Sequence, residues 1–154
     1  MRSEEIRKWI EEGGELPQEL TQEEKEHLEA LGWKGNRRWN DKGQLWWEEN
    51  FLHDKEHGKC RMWHSNGQLW LERKYLHGVE YGKCRGWHDN GQLQWEKKYL
   101  HGVKHGKCRG WRSNGQLSWE KNYIHGIYHG AHREWHKNGQ LMLDEEWFYG
   151  NKIR

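Results

Sequence analysis

The side chains of this 154-residue chain that could do chemistry are copied, not singular. His53, His77, His101 and His125 recur every 24 residues, and so do Cys60, Cys84 and Cys108. If each 24-residue unit supplies two strands at about 4.8 Å apiece, matching positions in successive units stand about 10 Å apart. That is too far for neighbouring histidines to share an ion, and beyond the ~7 Å Cα limit for a disulfide. His101 with His105, and His125 with His129, lie four apart around a turn, but no Cys-x-x-Cys and no helical His-x-x-x-His supports a metal centre. Ser65 and Ser113 each adjoin an Asn-Gly pair, a place that suits small polar turn residues, and no Asp/His pair can be argued for either. A catalytic group is normally one feature in one cleft, so the expectation is a non-enzyme with free thiols and no metal or cofactor.

What remains is a surface. Lys59, Trp63, Lys74, Lys83, Trp87, Lys98, Lys107 and Trp111 are the candidate interaction residues, with lysines directly opposed across strands and indole rings on the same side. Like charges in opposition destabilise a sheet unless an anion neutralises them. Lysines flanked by rings can meet nucleic acid or acidic lipid headgroups. A net charge of only +2 is far below that of a dedicated nucleic-acid binder and favours a protein partner.

The elements that must position this surface follow from the period. Gly43, Gly67, Gly91, Gly115 and Gly139 each sit in Asn-Gly-Gln-Leu or Lys-Gly-Gln-Leu, 24 residues apart, the mark of a repeat array. In the central unit, Lys83 to His88 leads into Asn90-Gly91 and Leu93 to Leu100 leads out, which predicts a hairpin with a two-residue type I′ turn. The His101-Gly102 corner then turns the chain into the next unit. A two-residue turn sets Arg85 opposite Glu96, Gly86 opposite Trp95 and Gly82 opposite Tyr99, and an extra residue in the turn would flip the faces. The same arithmetic pairs Arg37 with Glu48, Arg61 with Glu72, Arg109 with Glu120 and Arg133 with Asp144. Gly58, Gly82, Gly106 and Gly130 are read as leaving room for the aromatic residues opposite them, Tyr75, Tyr99, Tyr123 and Trp147.

The expected fold class is therefore mainly β: a single-layer antiparallel array of five 24-residue hairpin units over residues 34–154, preceded by a small acidic helical cap over 1–33. Ser3 is placed as a helix cap and Gly13-Gly14 as its stop, while Thr21 to Glu24 forms a capping box for a second helix ending at Gly32. The head carries ten acidic against four basic residues, which leaves the array basic. It is expected to cover the first open strand edge, and the last strand, left open, is a place for self-association. Hydrophobic residues make up only 32% of the chain, too few for a thick aliphatic core, so thirteen tryptophans must bury area along a thin sheet. No apolar run reaches the ~20 residues a membrane helix needs, and no signal-peptide segment leads the chain; with unpaired cysteines, this points to the cytoplasm.

The unit Gly82, Trp87, Asn90 to Leu93, Glu96, Tyr99 and Gly102 resembles the MORN repeat in its variant form, and the resemblance covers residues 34–154. It implies an extended hairpin array acting as a scaffold or interaction surface, often dimeric, with phospholipid binding as a further property that attaches to no particular residue here. The acidic head before such repeats is similar to repeat proteins of large DNA viruses, which would place the chain in a virion or host cytoplasm. Comparable repeats occur in bacterial antitoxin components, which would imply one tightly bound protein partner.

Overall fold

The computed structural model describes residues 2–13, 15–17 and 19–154. Gly14, half of the expected stop after the first helix, lies outside them. Helix α1 spans Arg2–Glu12 and α2 spans Gln22–Ala30. Because α1 already includes Arg2, Ser3 lies within its first turn instead of capping it, whereas Gly13 stops it with φ +67°. Thr21 caps α2 as expected: its Oγ1 accepts from the Glu24 amide at 3.2 Å and the Glu24 carboxylate accepts from the Thr21 amide at 2.8 Å.

Everything after the helices is one open antiparallel sheet of 14 strands. The first unit is β1 (Trp33–Trp39), β2 (Leu45–Leu52) and the short β3 (Lys55–Glu56). The second is β4 (Gly58–Trp63), β5 (Leu69–Leu76) and β6 (Val79–Glu80), and the third β7 (Gly82–Trp87), β8 (Leu93–Leu100) and β9 (Val103–Lys104). The fourth is β10 (Gly106–Trp111) and β11 (Leu117–Ile124); then β12 (Ile127–Trp135), β13 (Leu141–Phe148) and β14 (Asn151–Lys152) finish the chain. Long strands follow one another in chain order, and β3, β6 and β9 double back on the strand before them.

The two kinds of corner are not those the dipeptides suggest. At Asn90-Gly91 the His88 carbonyl accepts from Gly91 N at 3.0 Å and His88 N donates to the Gln92 carbonyl at 2.9 Å, which makes a three-residue loop. Among its residues only Gly91 has positive φ (+85°), the type I turn with a following left-handed glycine. Asn90 serves the loop through its side chain, whose Oδ1 accepts from Gln92 N at 3.0 Å. The two consecutive positive φ angles of a type I′ corner occur instead at His77-Gly78 (+48°, +85°), His101-Gly102 (+50°, +80°) and His125-Gly126 (+45°, +84°). The extra loop residue would invert the faces, but it does not, because each hairpin contains a second irregularity. Gly86 pairs with Trp95 while Trp87 pairs with Leu93, so Gln94 bulges out and restores the expected register. Trp46, Trp70, Ser118 and Met142 bulge in the same way in the other hairpins. This accounts for Trp46, Trp70 and Met142 being exposed although large and apolar.

With the register restored, every expected cross-strand charge pair is present: Arg37–Glu48 and Arg133–Asp144 at 3.2 Å, Arg61–Glu72 at 3.0 Å, Arg85–Glu96 and Arg109–Glu120 at 2.8 Å. The glycines divide into two classes by cause. A Cβ at Gly86 or Gly110 would lie inside the Trp95 or Trp119 ring, so these positions are cleared for indoles packed flat on the backbone. Gly82 faces Tyr99 in register, yet a Cβ there would meet only Lys74 Cδ at 3.8 Å; what demands glycine is its φ of +68°. That residue sits where the chain leaves β6 and shifts pairing by two, a shift that leaves the faces unchanged. The fully apolar cluster belongs to the head, where Ile6, Trp9, Leu16 and Leu28 pack with Leu52 of β2.

Gly86→Ala should lower stability by about 1–3 kcal/mol through overpacking against Trp95. In urea unfolding, Trp95→Leu should recover most of that loss, whereas it should leave the left-handed cost of Gly67→Ala, about 1–2 kcal/mol, untouched.

Candidate functional site

Strand alternation assigns each unit's notable side chains to one face or the other. Lys83, Arg85 and Trp87 of β7 share a face with Lys98, Glu96 and Leu93 of β8. Cys84 and Gly86, with Lys97, Trp95 and Tyr99, occupy the opposite one. The candidate residues Lys59, Trp63, Lys74, Lys83, Trp87, Lys98, Lys107 and Trp111 thus all fall on the first, charged face. Lys59 opposes Lys74 and Lys83 opposes Lys98, as expected; Lys107 opposes Asn122. The three tryptophans are half-buried.

Between units the arginines and acids continue to alternate, because Glu48 also pairs with Arg61, Glu72 with Arg85, Glu96 with Arg109 and Glu120 with Arg133. This row neutralises itself. The lysine row beside it does not: among the described residues Lys74, Lys83 and Lys98 form no ion pair, while Lys107 lies 3.9 Å from Glu120 and Lys59 3.4 Å from Glu15.

Glu15 is the residue that sequence reasoning missed. It comes from the head and accepts from Arg61 Nη2 at 2.6 Å with one oxygen while its other faces Lys59, so one carboxylate bridges both cations. That pairing, led by the Arg61 hydrogen bond, holds the Glu15 carboxyl below its ordinary pKa against the opposing effect of burial. The head covers this same face across the first two units. Trp9 lies against Gly58, Trp33 Nε1 donates to Asn50 Oδ1 at 3.0 Å, and Tyr81 donates its hydroxyl to the Glu12 carbonyl at 2.8 Å. Nothing in the spacing of Glu15 distinguishes it from the other nine acids of the head.

Five histidine rings serve the corners through hydrogen bonds to backbone. His57 Nδ1 accepts from the His77 amide at 3.1 Å, so its proton is on Nε2, which donates to the Trp9 carbonyl at 2.6 Å. His105 and His129 accept in the same manner from the His125 and Tyr149 amides, both at 3.1 Å. At the opposite end of the hairpins, His64 and His88 Nε2 lie 2.9 Å from the Trp87 and Trp111 carbonyls, and Arg112 Nη2 donates to the Trp135 carbonyl at 2.9 Å. The recurrence of an N–H donor at 64, 88 and 112 is the signal for these unit-to-unit bonds. Among the described residues no group of three or more His, Cys, Asp or Glu is placed to hold a metal ion. The three thiols are free. Burial pushes Cys60 up to about 11 and Cys84 up to about 12, so neither carries thiolate character at neutral pH.

A tandem array of hairpin units, each bonded to the next, defines a repeat module. The family model for the MORN repeat variant matches residues 56–77 and 128–151, so the chain carries MORN-variant repeats at both ends of the part of the array beyond its first unit. Such repeats are non-catalytic modules that commonly engage proteins or membrane lipids. No curated protein and no solved structure matches the chain. No helix among the described residues is long and apolar enough to cross a membrane.

Two titrations should loosen the head. Burial, the largest influence, lowers the His57 pKa below 6.5; the nearby His77 ring adds to this and the Trp9 and Ile10 carbonyls oppose it. Its contribution to docking is therefore full above pH 6.5 and is lost as pH falls through the depressed value. Glu15 follows the same sign lower down, contributing above pH 4.5 and failing below its own depressed pKa. Hydrogen exchange of the α1 amides, corrected for intrinsic rates, should show protection falling between pH 7.5 and about 5.5, and His57→Asn should abolish that step.

Proposed function

We propose that the chain is a non-enzymatic scaffold that binds a protein partner on the charged face, with residues 1–33 acting as a helical cap and 34–154 as the repeat domain. The observation that carries this reading is the row of Lys74, Lys83 and Lys98, which form no ion pair among the described residues, with Lys83 exposed and Lys74 and Lys98 half-buried beside half-buried Trp63, Trp87 and Trp111 on one continuous layer. A row of this kind offers a long, regular contact area, suited to a chain-like or extended partner. An open groove of about 630 Å³ lies between the head and β1, lined by Leu20, Lys25, Trp33 and Trp39 among others, and it gathers no catalytic constellation.

Anion binding through the same face is the rival reading, supported by the opposed lysines; a lipid surface or nucleic acid would be the ligand. An antitoxin-like role is a narrower form of the scaffold reading, with one tightly held protein. Self-association is supported at the far edge, where Leu141 and Met142 of β13 are 48% and 52% exposed and β14 pairs only near the strand's end.

Affinity capture with the full chain from its native host should recover one protein in near-stoichiometric amount at physiological salt. Recovery of nucleic acid or acidic vesicles without a protein would replace this reading with the rival.

A further inference from the structure

The head shows what the charged face accepts. In the second unit Arg61 spends Nε on Glu72 at 3.0 Å and turns Nη2 to Glu15, with Lys59 two residues earlier completing the grip. The third unit reproduces the cationic half of that site with nothing in it. Arg85 gives Nε to Glu96 at 2.8 Å, and no further acceptor reaches its guanidinium among the described residues. Lys83 is exposed and forms no ion pair there. The difference in cover is large: the Arg61 side chain is 15% exposed and that of Arg85 is 37%. Lys98 stands opposite Lys83 with its stem along Gly106, and the stem of Lys74 runs along Gly82 next to Lys83, so lysines that form no ion pair among the described residues flank this point on both sides.

We propose that Lys83 and Arg85, flanked by Lys74 and Lys98, form a carboxylate-binding site for an extended acidic segment of a protein partner, on the pattern of Glu15 in Lys59 and Arg61. The inference rests on the scaffold reading and names its partner's chemistry. A second copy's head does not fit, because the rest of its docking site is missing. Lys74 takes the place that Asn50 holds in the first unit, its stem lies where Trp9 lies on Gly58, and Tyr81 replaces His57. A phosphate-covered surface fits less well than single carboxylates, since Glu72, Glu96 and Glu120 share the face with the lysines. Equivalent sites in the third and fourth units lie about 10 Å apart, two strand spacings. A segment in polyproline II form, with about 3 residues per turn and ~3.1 Å per residue, covers roughly that distance in one turn and returns every third side chain to the same side, so the matching segment carries an acidic residue at every third position. The fourth site is weaker, as Lys107 already leans on Glu120.

The probe is a fluorescein-labelled Glu-Gly-Ser-Glu-Gly-Ser-Glu peptide titrated against the full chain by anisotropy at low salt, with the Lys-for-Glu peptide and phosphatidylserine vesicles alongside. Binding of the acidic peptide is expected, weakened about tenfold or more by Lys83→Glu with Lys98→Glu, in a variant whose circular dichroism melt is not lowered. Glu15→Gln should strengthen binding by about threefold as Lys59 and Arg61 open to the peptide. Binding that ignores the charge reversal, equal binding of the lysine peptide, or binding of vesicles alone would overturn the proposal. The two readings separate in the capture experiment. If the charge-reversed chain still retains the host protein, the carboxylate site is wrong and the scaffold stands; if the native chain retains no protein, the scaffold reading is wrong whatever the peptide does.

Discussion

Side-chain parity is the constraint on which this architecture depends. In a strand, successive residues point to opposite faces, so a slip of one residue would exchange the lysine and arginine rows with the cysteines and glycines. Each unit contains corners that threaten such a slip, and each time the irregularity is made even. The three-residue Asn-Gly loop is balanced by one bulged residue such as Gln94, and the positive-φ glycine at Gly82 carries a shift of two. The consequence is that a 24-residue sequence period becomes rows of like residues on one face.

Given that parity, a sheet with little aliphatic core can still be held. Indoles lie on cleared backbone at Gly86 and Gly110, and Lys97 and Lys121 stand over the Trp95 and Trp119 rings at 4.7 and 5.7 Å. Histidine nitrogens and Asn side chains tie the corners of one unit to the next; Asn66 Nδ2 donates to the Asp89 carbonyl at 2.6 Å and Asn90 Nδ2 to the Ser113 carbonyl at 2.8 Å. Stability is thus spread along the array, as expected when each unit contacts only its neighbours. The head adds a compact apolar cluster with Leu52, hydrogen bonds from His57 and Tyr81 to its carbonyls, and the Glu15 carboxylate set against the charged face, so this last contact both helps anchor the helices and displays the ligand chemistry of the face.

Much of this was legible in the sequence because the signals were repeated. The period, the hairpins, the Arg–Glu pairs and the opposition of Lys83 to Lys98 all follow from counting residues around Gly91. The turn type did not, because Asn-Gly serves both a two-residue and a three-residue loop, and the bulge at Gln94 that reconciles them leaves no mark in composition. His-Gly hosts the type I′ corner although histidine is a weak signal for positive φ; the neighbouring unit's histidine ring, accepting from the corner amide at His77 and His125, supplies what the dipeptide lacks. Nor could Glu15 be found, since it acts through a contact 46 residues away and belongs to a segment with no period.

Directed cross-linking tests parity most directly. In a chain whose Cys60, Cys84 and Cys108 are replaced by alanine, Lys83→Cys with Lys98→Cys places two thiols on directly opposed positions of one face, within the ~4.4–6.8 Å Cα range a disulfide requires. Rapid oxidation of this pair, with none for Lys83→Cys and Lys97→Cys, is the result the account predicts. The reverse pattern would mean that the loop residue is not compensated, that the lysine row is dispersed, and that the face described here does not exist.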